Sequence, residues 1–86
     1  LHRQPEATDL SELLSWLKNE FHLTNRELQI SEQVFQFRNN DEIAASLDIR
    51  ENTLQKHLQN IFRKTNVTSR WELLRISRSD HSAQNL

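Results

Sequence analysis

The absence of glycine is the feature that most constrains the fold of this 86-residue chain, in which proline also occurs only once, at Pro5. Hairpin turns in β-sheets depend on glycine where φ is positive. No segment of the chain alternates apolar and polar residues with the period of two that marks a half-buried strand. The sequence therefore predicts an all-α fold, a small helical bundle whose single core is modest in size.

Composition excludes several classes of function. Cysteine is absent, so the chain has neither a disulfide framework nor a thiolate metal site. The histidines form no pair at ligand spacing: His2, His22, His57 and His81. Neither a signal peptide nor an apolar run of the roughly 20 residues that span a membrane is present. We therefore expect no metal, cofactor or membrane association, and because the chain begins with Leu1 we expect a piece of a longer protein.

Charge is divided between the two halves of the chain, although the total is only −1. Residues 1–49 carry four Lys or Arg and nine Asp or Glu, a net −5, whereas residues 50–78 carry seven and two, a net +5. Charges farther apart than about 8–10 Å are screened at physiological salt, so the local sign governs attraction to phosphates. The basic half is therefore compatible with nucleic acid as a partner.

Capping residues and apolar spacing divide the chain into five predicted helices between a loose arm, 1–8, and a flexible tail, 79–86. The helices are expected to begin at Asp9, Thr24, Asn39, Glu51 and Ser69. Four starts place an acidic partner three positions after the cap, the capping-box pattern: Glu12, Glu27, Glu42 and Glu72. The first helix should end near Phe21, the third at Leu47, the fourth at Thr65 and the last near Ser77. Asn66 can end the fourth in the left-handed conformation.

The second predicted helix is apolar on two sides, which indicates a helix buried between two neighbours. Ile30, Val34 and Phe37 form one line, and Leu28 and Phe35 form the other. One neighbour would be the pair of helices that follows. The other would be the first helix, whose apolar stripe consists of Leu10, Leu13, Leu14, Leu17 and Phe21. The alternative is that Leu28 or Phe35 is simply exposed.

The stretch from Asn40 to Arg70 predicts two helices joined by a tight turn at 48–50. In the second of them, the fourth helix of the chain, Leu54, Leu58 and Ile61 share one side at about 100° per residue. The opposite side is a polar flank, with Gln55 and Asn60 at its edges and these residues at its centre: Asn52, Lys56, Gln59 and Arg63. A helix with a packed back and a front of amides and cations fits the major groove of DNA.

The polar flank supplies the candidate DNA contacts. Amide side chains pair with adenine and Lys reaches guanine acceptors, and the N-terminal residues of such a helix usually contact bases. The predicted base contacts are therefore Gln55, Lys56 and Gln59. The predicted backbone contacts are Thr53, His57, Asn60, Arg63, Lys64 and Arg70. Two alternatives stay open: the flank is only a solvated surface, and His57 hydrogen-bonds a backbone group at the edge of the core.

The residues that match a known pattern run in register, without gaps, from Leu23 to Arg70. They are Leu23-Thr24-Asn25-Arg26-Glu27, Asn40-Asp41-Glu42-Ile43-Ala44, Leu47, Ile49, Thr53, His57, Ile61, Lys64, Val67, Ser69 and Arg70. This set resembles the LuxR/GerE-type helix-turn-helix domain of bacterial transcription regulators. The resemblance covers a little over half of the chain, and so many positions in register are more specific than any short motif among them.

The resemblance implies a four-helix domain over residues 23–78, with the third of those helices, Glu51–Thr65, in the major groove. Residues 9–22 would then be an additional helix, either a linker or an element packed on the domain. The last helix of such domains often supplies a dimer contact, which makes candidates of Trp71, Leu74, Arg75 and Arg78. The family usually joins this module to an N-terminal receiver or sensor domain that is missing from these residues. The resemblance also implies a cytoplasmic protein at the bacterial nucleoid.

Several residues depart from the family pattern. Phe37 and Asp48 stand where the family commonly has glycine; Asp tolerates the left-handed region, whereas Phe37 should shift its turn to Asn39 or Asn40. Arg50 replaces the usual serine cap, so either Asp48 caps the fourth helix one turn early or Arg50 reaches a phosphate. Gln55 replaces a frequent lysine, which weakens nonspecific attraction to DNA. Polar residues replace apolar ones in a core that should be looser there: Gln33 and Thr65.

The sequence therefore favours sequence-specific binding to double-stranded DNA by the output domain of a bacterial transcription regulator. The oligomeric state stays open; if the domain forms a homodimer, the resemblance implies contact through the last helix. The alternative is a protein-interaction or dimerisation module that keeps the fold without reading DNA. The net negative charge, Arg50 and Gln55 leave room for it, and Trp71 is either its anchor or a half-buried core residue. An enzyme is not expected, because no nucleophile–base pair or phosphate-binding glycine loop is present.

Overall fold

The computed structural model describes residues 10–76, and within that range it contains five α-helices and no strand. The helices are α1 (Leu10–Phe21), α2 (Asn25–Phe35), α3 (Asn40–Leu47), α4 (Glu51–Thr65) and α5 (Arg70–Ile76). The predicted all-α fold is confirmed. The predicted arm and tail lie outside the described residues, as do Asp9, Ser77 and Arg78. None of the described helices is long and apolar enough to cross a membrane.

Reciprocal hydrogen bonds fix the starts of α2 and α3. The backbone N–H of Glu27 donates to Thr24 Oγ1 at 3.1 Å, and the N–H of Thr24 donates to Glu27 Oε1 at 2.9 Å. Asn39 and Glu42 make the same pair of bonds, both of 2.9 Å. Each pair satisfies two donors that a helix start leaves without an intrahelical partner. The capping boxes predicted at these two starts are confirmed.

The starts of α4 and α5 are capped differently from α2 and α3. Arg50 caps α4 without a side-chain hydrogen bond, as its replacement of serine predicts. At α5, the N–H of Glu72 donates to Ser69 Oγ at 3.3 Å, but the Glu72 carboxylate accepts from the backbone N–H and the hydroxyl of Thr68, at 2.7 and 3.0 Å. The prediction of a capping box closed on Ser69 is therefore corrected by one residue. The backbone bond from Thr68, above all, lowers the pKa of Glu72.

Four of the described helices are followed by a left-handed residue other than glycine. The φ values are 60°, 63°, 56° and 62° after α1, α2, α3 and α4, at His22, Phe37, Asp48 and Asn66. After α2, the N–H of Arg38 donates to the carbonyl of Gln33 at 3.1 Å, and the N–H of Phe37 donates to Val34 at 2.9 Å. This pair of bonds is the Schellman motif.

The Schellman motif corrects two predictions for Phe37. Its turn does not shift to Asn39 or Asn40, because the hydrogen bonds that close α2 hold Phe37 itself in the left-handed conformation. The aromatic ring points to solvent, 76% exposed, and does not continue the apolar line of Ile30 and Val34. Asp48 likewise ends α3 and does not cap α4, so the alternative of an early cap by Asp48 is wrong. Contact of Arg50 with a phosphate stays a prediction.

The main core lies between α2, α3, α4 and α5. Its buried residues are Ile30, Val34, Ile43, Ala44, Leu54, Leu58, Ile61 and Leu73. The predicted packed side of α4 is thus confirmed. The polar replacement at Thr65 is buried at its edge, where the hydroxyl donates to the carbonyl of Ile61 at 2.8 Å, so this polar group has a partner without leaving its own helix.

A second, smaller core joins α1 to α2. Leu13 and Leu17 of α1 are buried together with Leu23, and Leu28 and Phe35 of α2 pack against them. Trp16 and Phe21 close the cluster with an edge-to-face ring contact whose centroids lie 5.3 Å apart. α1 therefore docks on α2 as its apolar stripe predicts, and α2 is buried between two neighbours. The alternative that Leu28 or Phe35 is exposed is wrong.

Candidate nucleic-acid interface

The polar flank of α4 faces solvent. Burial of Leu54, Leu58 and Ile61 against the rest of the core turns the opposite side of the helix outward. The three predicted base contacts are all exposed: Gln55, Lys56 and Gln59. Two amides and one ammonium group over little more than one helical turn offer donors and acceptors of the kind that recognise base edges in the major groove.

The predicted backbone contacts on α4 differ in exposure. Arg50 and Thr53 at the start of the helix and Arg63 near its end are exposed, whereas His57 and Asn60 are half-buried at the border of the core. Exposed cations therefore lie at both ends of the polar flank. Such groups suit contacts to phosphates, which fix the position of a helix in the groove without reading sequence.

Two predicted backbone contacts direct their donors at groups of the protein. Lys64 Nζ lies 2.8 Å from Glu27 Oε1 and 3.4 Å from the carbonyl oxygen of His22. Arg70 donates to Asn40 Oδ1 at 2.9 Å and to the carbonyl oxygen of Arg38 at 2.7 Å, which ties the start of α5 to the turn between α2 and α3. Contact with DNA by Lys64 or Arg70 stays a prediction, but both have a structural role.

The Glu27 carboxylate is the most buried charged group that the structure describes near this interface. Its side chain is only 5% exposed, and burial acts to raise the pKa. The hydrogen bond from Lys64 and the bonds from Thr24 outweigh burial, so the pKa of Glu27 is lowered from its ordinary value of 4.5. Glu27 is therefore ionised near neutral pH and forms a complete ion pair with Lys64.

α5 presents a different kind of surface. Leu73 is buried and anchors the helix, while Trp71 is 67% exposed and Arg75 is exposed. Leu74 is half-buried. The alternative that Trp71 is a half-buried core residue is wrong. The dimer contacts predicted on this helix stay a prediction, and Arg78 lies outside the described residues.

Sequence reasoning missed the partners of the two inward-facing cations. Lys64 and Glu27 are 37 residues apart, and Arg70 and Asn40 are 30 apart. No local periodicity or capping rule links positions so distant. The one signal in the sequence is the assignment of Glu27 as a capping residue, which places its carboxylate at the end of α2 that meets α4. In residues 10–76 no group of acidic and histidine side chains could hold a metal ion.

Comparison with known proteins finds a family whose sequence pattern matches this chain. The family described as bacterial regulatory proteins, luxR family, matches residues 22–77. The nitrate/nitrite response regulator protein NarP of Escherichia coli strain K12 is 44% identical over 48 residues, which cover 56% of this chain and 22% of NarP. A nitrate/nitrite response regulator protein homolog of Haemophilus influenzae shows the same identity over 48 residues and is covered to 23%.

The chain spans less than a quarter of the length of these curated relatives. No solved structure is found to match it. The family match includes α2 to α5 in full and leaves α1 outside. Because it covers more than half of the chain, and every helix that forms the main core, this chain belongs to the LuxR family of bacterial regulatory proteins, which are not enzymes.

Proposed function

We propose that the chain is the DNA-binding output domain of a bacterial transcription regulator, with residues 23–78 as the binding domain and α4 in the major groove. The observation that carries the proposal is the exposure of Gln55, Lys56 and Gln59 on a helix whose opposite side is buried. Membership of a family of bacterial regulatory proteins supports it. The domain would bind at the nucleoid, in the cytoplasm.

The spacing of the candidate base contacts suits successive base pairs. Gln55 and Gln59 are one helical turn apart, about 6 Å along the helix axis. Base pairs are stacked about 3.4 Å apart, so a helix lying along the groove brings the two amides to edges about two steps apart, with Lys56 between them. Amides in this position favour adenine, and the Lys56 ammonium favours the acceptors of guanine.

Phosphate contacts would hold the helix at both of its ends. Arg50 and Thr53 are exposed near the first turn and Arg63 near the last, so in the groove they would be available to phosphates at both ends of the helix. His57 and Asn60 are half-buried and would contact the backbone only at the edges of the flank. Arg70 already bonds the α2–α3 turn, so its contribution to binding would be the smaller one.

In the proposed regulator, a receiver domain and a second copy of this domain would accompany the residues described above. The two relatives are named response regulators and are more than four times as long as the matched segment, which supports a receiver domain outside this chain. α5 offers Trp71, Leu74 and Arg75, with Arg78 beyond the described residues, to a second copy. A two-fold dimer would bind half-sites about 34–36 Å apart.

The experiment that tests the proposal is selection of binding sites from random duplexes, followed by a salt titration on the selected duplex and on a random one. We expect one enriched half-site. Arg63→Ala should weaken binding to both duplexes and reduce the slope of log K against log[salt] by about 0.9. Lys18→Ala, which removes an exposed cation from α1, is the matched control and should change neither.

No enriched sequence, together with equal losses for both variants, would contradict the proposal. A protein-interaction module is then the better reading, and the 67% exposure of Trp71 is the observation that favours it. It predicts no binding to random-sequence DNA even at low salt, and loss of association with a protein partner in Trp71→Ala.

A further inference from the structure

Three elements of the domain meet at the ammonium group of Lys64. Lys64 lies in the last turn of α4. Its ammonium group donates to the Glu27 carboxylate at the start of α2 and to the His22 carbonyl at the end of α1. Glu27 Oε1 also accepts the backbone N–H of Thr24, so the same carboxylate oxygen has donors from α4 and from the start of α2. We call Lys64, Glu27, Thr24 and the His22 carbonyl the polar junction.

Arg63 and Lys64 are neighbouring cations on α4, but one is exposed and the other is paired with a carboxylate. Arg63 is exposed, whereas the Lys64 side chain is 30% exposed and its ammonium lies 2.8 Å from a carboxylate that is 5% exposed. A phosphate that recruited Lys64 would have to separate this pair and leave the Glu27 charge buried without its cation. Removing one partner of such a pair is strongly unfavourable, so Lys64 is a poor candidate for a phosphate contact.

We infer that Lys64 is a positioning residue for DNA recognition: with Glu27 and the His22 carbonyl it fixes α4 against α1 and α2, and so sets where Gln55, Lys56 and Gln59 lie in the groove. The inference rests on the proposed function. Apolar packing along Leu54, Leu58 and Ile61 holds the helix but tolerates small sliding, whereas an ion pair with defined bonds specifies one placement. The polar junction therefore acts on sequence discrimination and not on phosphate attraction.

The polar junction also gives α1 a part in recognition, although α1 lies outside the family match. His22 ends α1 in the left-handed conformation, with φ of 60°, and its N–H donates to the carbonyl of Lys18 at 2.9 Å. Its own carbonyl is thereby turned out of the helix and accepts from Lys64. A displacement of α1 is thus transmitted to the last turn of α4 through one hydrogen bond.

Substitution of Lys64 and Arg63 in the 86-residue chain tests the inference, because the two cations are adjacent on one helix. Lys64→Met keeps the aliphatic stem and should lower the ratio of specific to nonspecific affinity by about fivefold to tenfold, the size of a typical coupling between sites. The salt slope should stay unchanged. Arg63→Met should lower affinity for both duplexes together and reduce the slope by about 0.9.

Glu27→Gln separates the two roles more sharply, since a buried acidic side chain cannot itself contact a phosphate. If Lys64 positions α4, this variant loses discrimination as Lys64→Met does. If Lys64 is a phosphate contact held back by Glu27, the variant frees it, and both nonspecific affinity and the salt slope rise. That second result would overturn the inference.

The double variant Glu27→Gln/Lys64→Met distinguishes positioning from stability alone. Removing both charges relieves the buried carboxylate, so the melting temperature should recover toward that of the unsubstituted chain. Discrimination should not recover, because the bonds that place α4 remain absent. Recovery of both quantities would show that the polar junction serves stability only, and would overturn the inference.

A measurement without DNA separates failure of the inference from failure of the proposed function. In the free protein, Lys64→Met should shift the methyl resonances of Leu54 and Leu58, as α4 moves on its neighbours, while Arg63→Met leaves them in place. If the unsubstituted chain binds no duplex, the proposed function fails and these resonances still test the placement of α4. Unshifted methyls would overturn the inference.

Discussion

The packed side and the polar flank of α4 share one backbone but differ in what limits their residues. Leu54, Leu58 and Ile61 are buried among side chains of the other helices, so their volumes are set by the core. Gln55 and Gln59 are exposed, so the fold does not require amides at those positions. The difference separates substitutions that test folding, on the packed side, from substitutions that test function, on the flank.

Ile61→Ala gives the largest expected effect and tests the packed side. Ile61 is fully buried, so the cavity left by truncation should lower the free energy of unfolding by about 2–5 kcal/mol. Gln59→Ala is the control and should change it by less than about 0.5 kcal/mol. Thermal melting followed by circular dichroism measures both. Equal losses of unfolding free energy in the two variants would show that the polar flank also stabilises the fold, and would contradict the distinction between the two sides.

Lys56→Ala and Gln59→Ala test the flank at the level of DNA. Each should flatten preference at one or two base positions, by about 1–3 kcal/mol of discrimination per well-placed contact. Competition between the selected duplex and single-base variants of it measures the effect. Gln29→Ala, an exposed amide on α2, is the control and should leave every preference unchanged. Uniform weakening on all duplexes would assign these residues to the phosphates.

Local chemistry predicted much of this architecture. Thr24 with Glu27 and Asn39 with Glu42 marked two helix starts through bonds that span three residues, and Asn66 marked an end through its tolerance of positive φ. The helical spacing of apolar and polar residues, about 100° per residue, predicted the two sides of α4. All of these features depend on neighbours along one helix, which a single sequence contains.

Features that depend on distant contacts or on competition between local preferences escaped prediction. Phe37 was expected to avoid the left-handed region, but two backbone hydrogen bonds that close α2 outweigh its steric preference. The pairing of Lys64 with Glu27 was not predicted, because helix periodicity gives no partner on another helix. Glu72 bonds Thr68 and not the backbone of Ser69, a shift of one residue that spacing alone does not resolve.

Arg50→Ser sharpens the comparison between folding and DNA binding, because Arg50 is both the N-cap residue of α4 and an exposed cation. Serine supplies the side-chain cap that α4 lacks and should raise the free energy of unfolding by about 1 kcal/mol. It also removes an exposed cation, so affinity for DNA should fall and the salt slope should decrease by about 0.9. Melting and a salt titration on one protein sample show whether stability and affinity move in opposite directions. A gain in both would exclude Arg50 as a phosphate contact.

Acid dependence of stability gives the smallest expected effect and concerns Glu27 of α2, the partner of Lys64 on α4. The pKa of Glu27 is lower in the folded chain than its ordinary 4.5, so the unfolded chain binds more protons in that range. The stabilisation is complete above that value and is lost as the pH falls through the lowered pKa. Glu27→Gln should flatten the decline of melting temperature between about pH 5 and pH 3. If melting temperature falls with pH at the same slope in the unsubstituted protein and in Glu27→Gln, Glu27 does not contribute to the acid dependence of stability.

The central claim is that the polar flank of α4 enters the major groove. Titration of the isotope-labelled chain with its selected duplex, followed by NMR, tests it most directly. The account predicts the largest changes at the side-chain amides of Gln55 and Gln59 and at Lys56, with α1 little affected. Changes confined to α1 and to Trp71 of α5, with the amides of α4 unmoved, would contradict it.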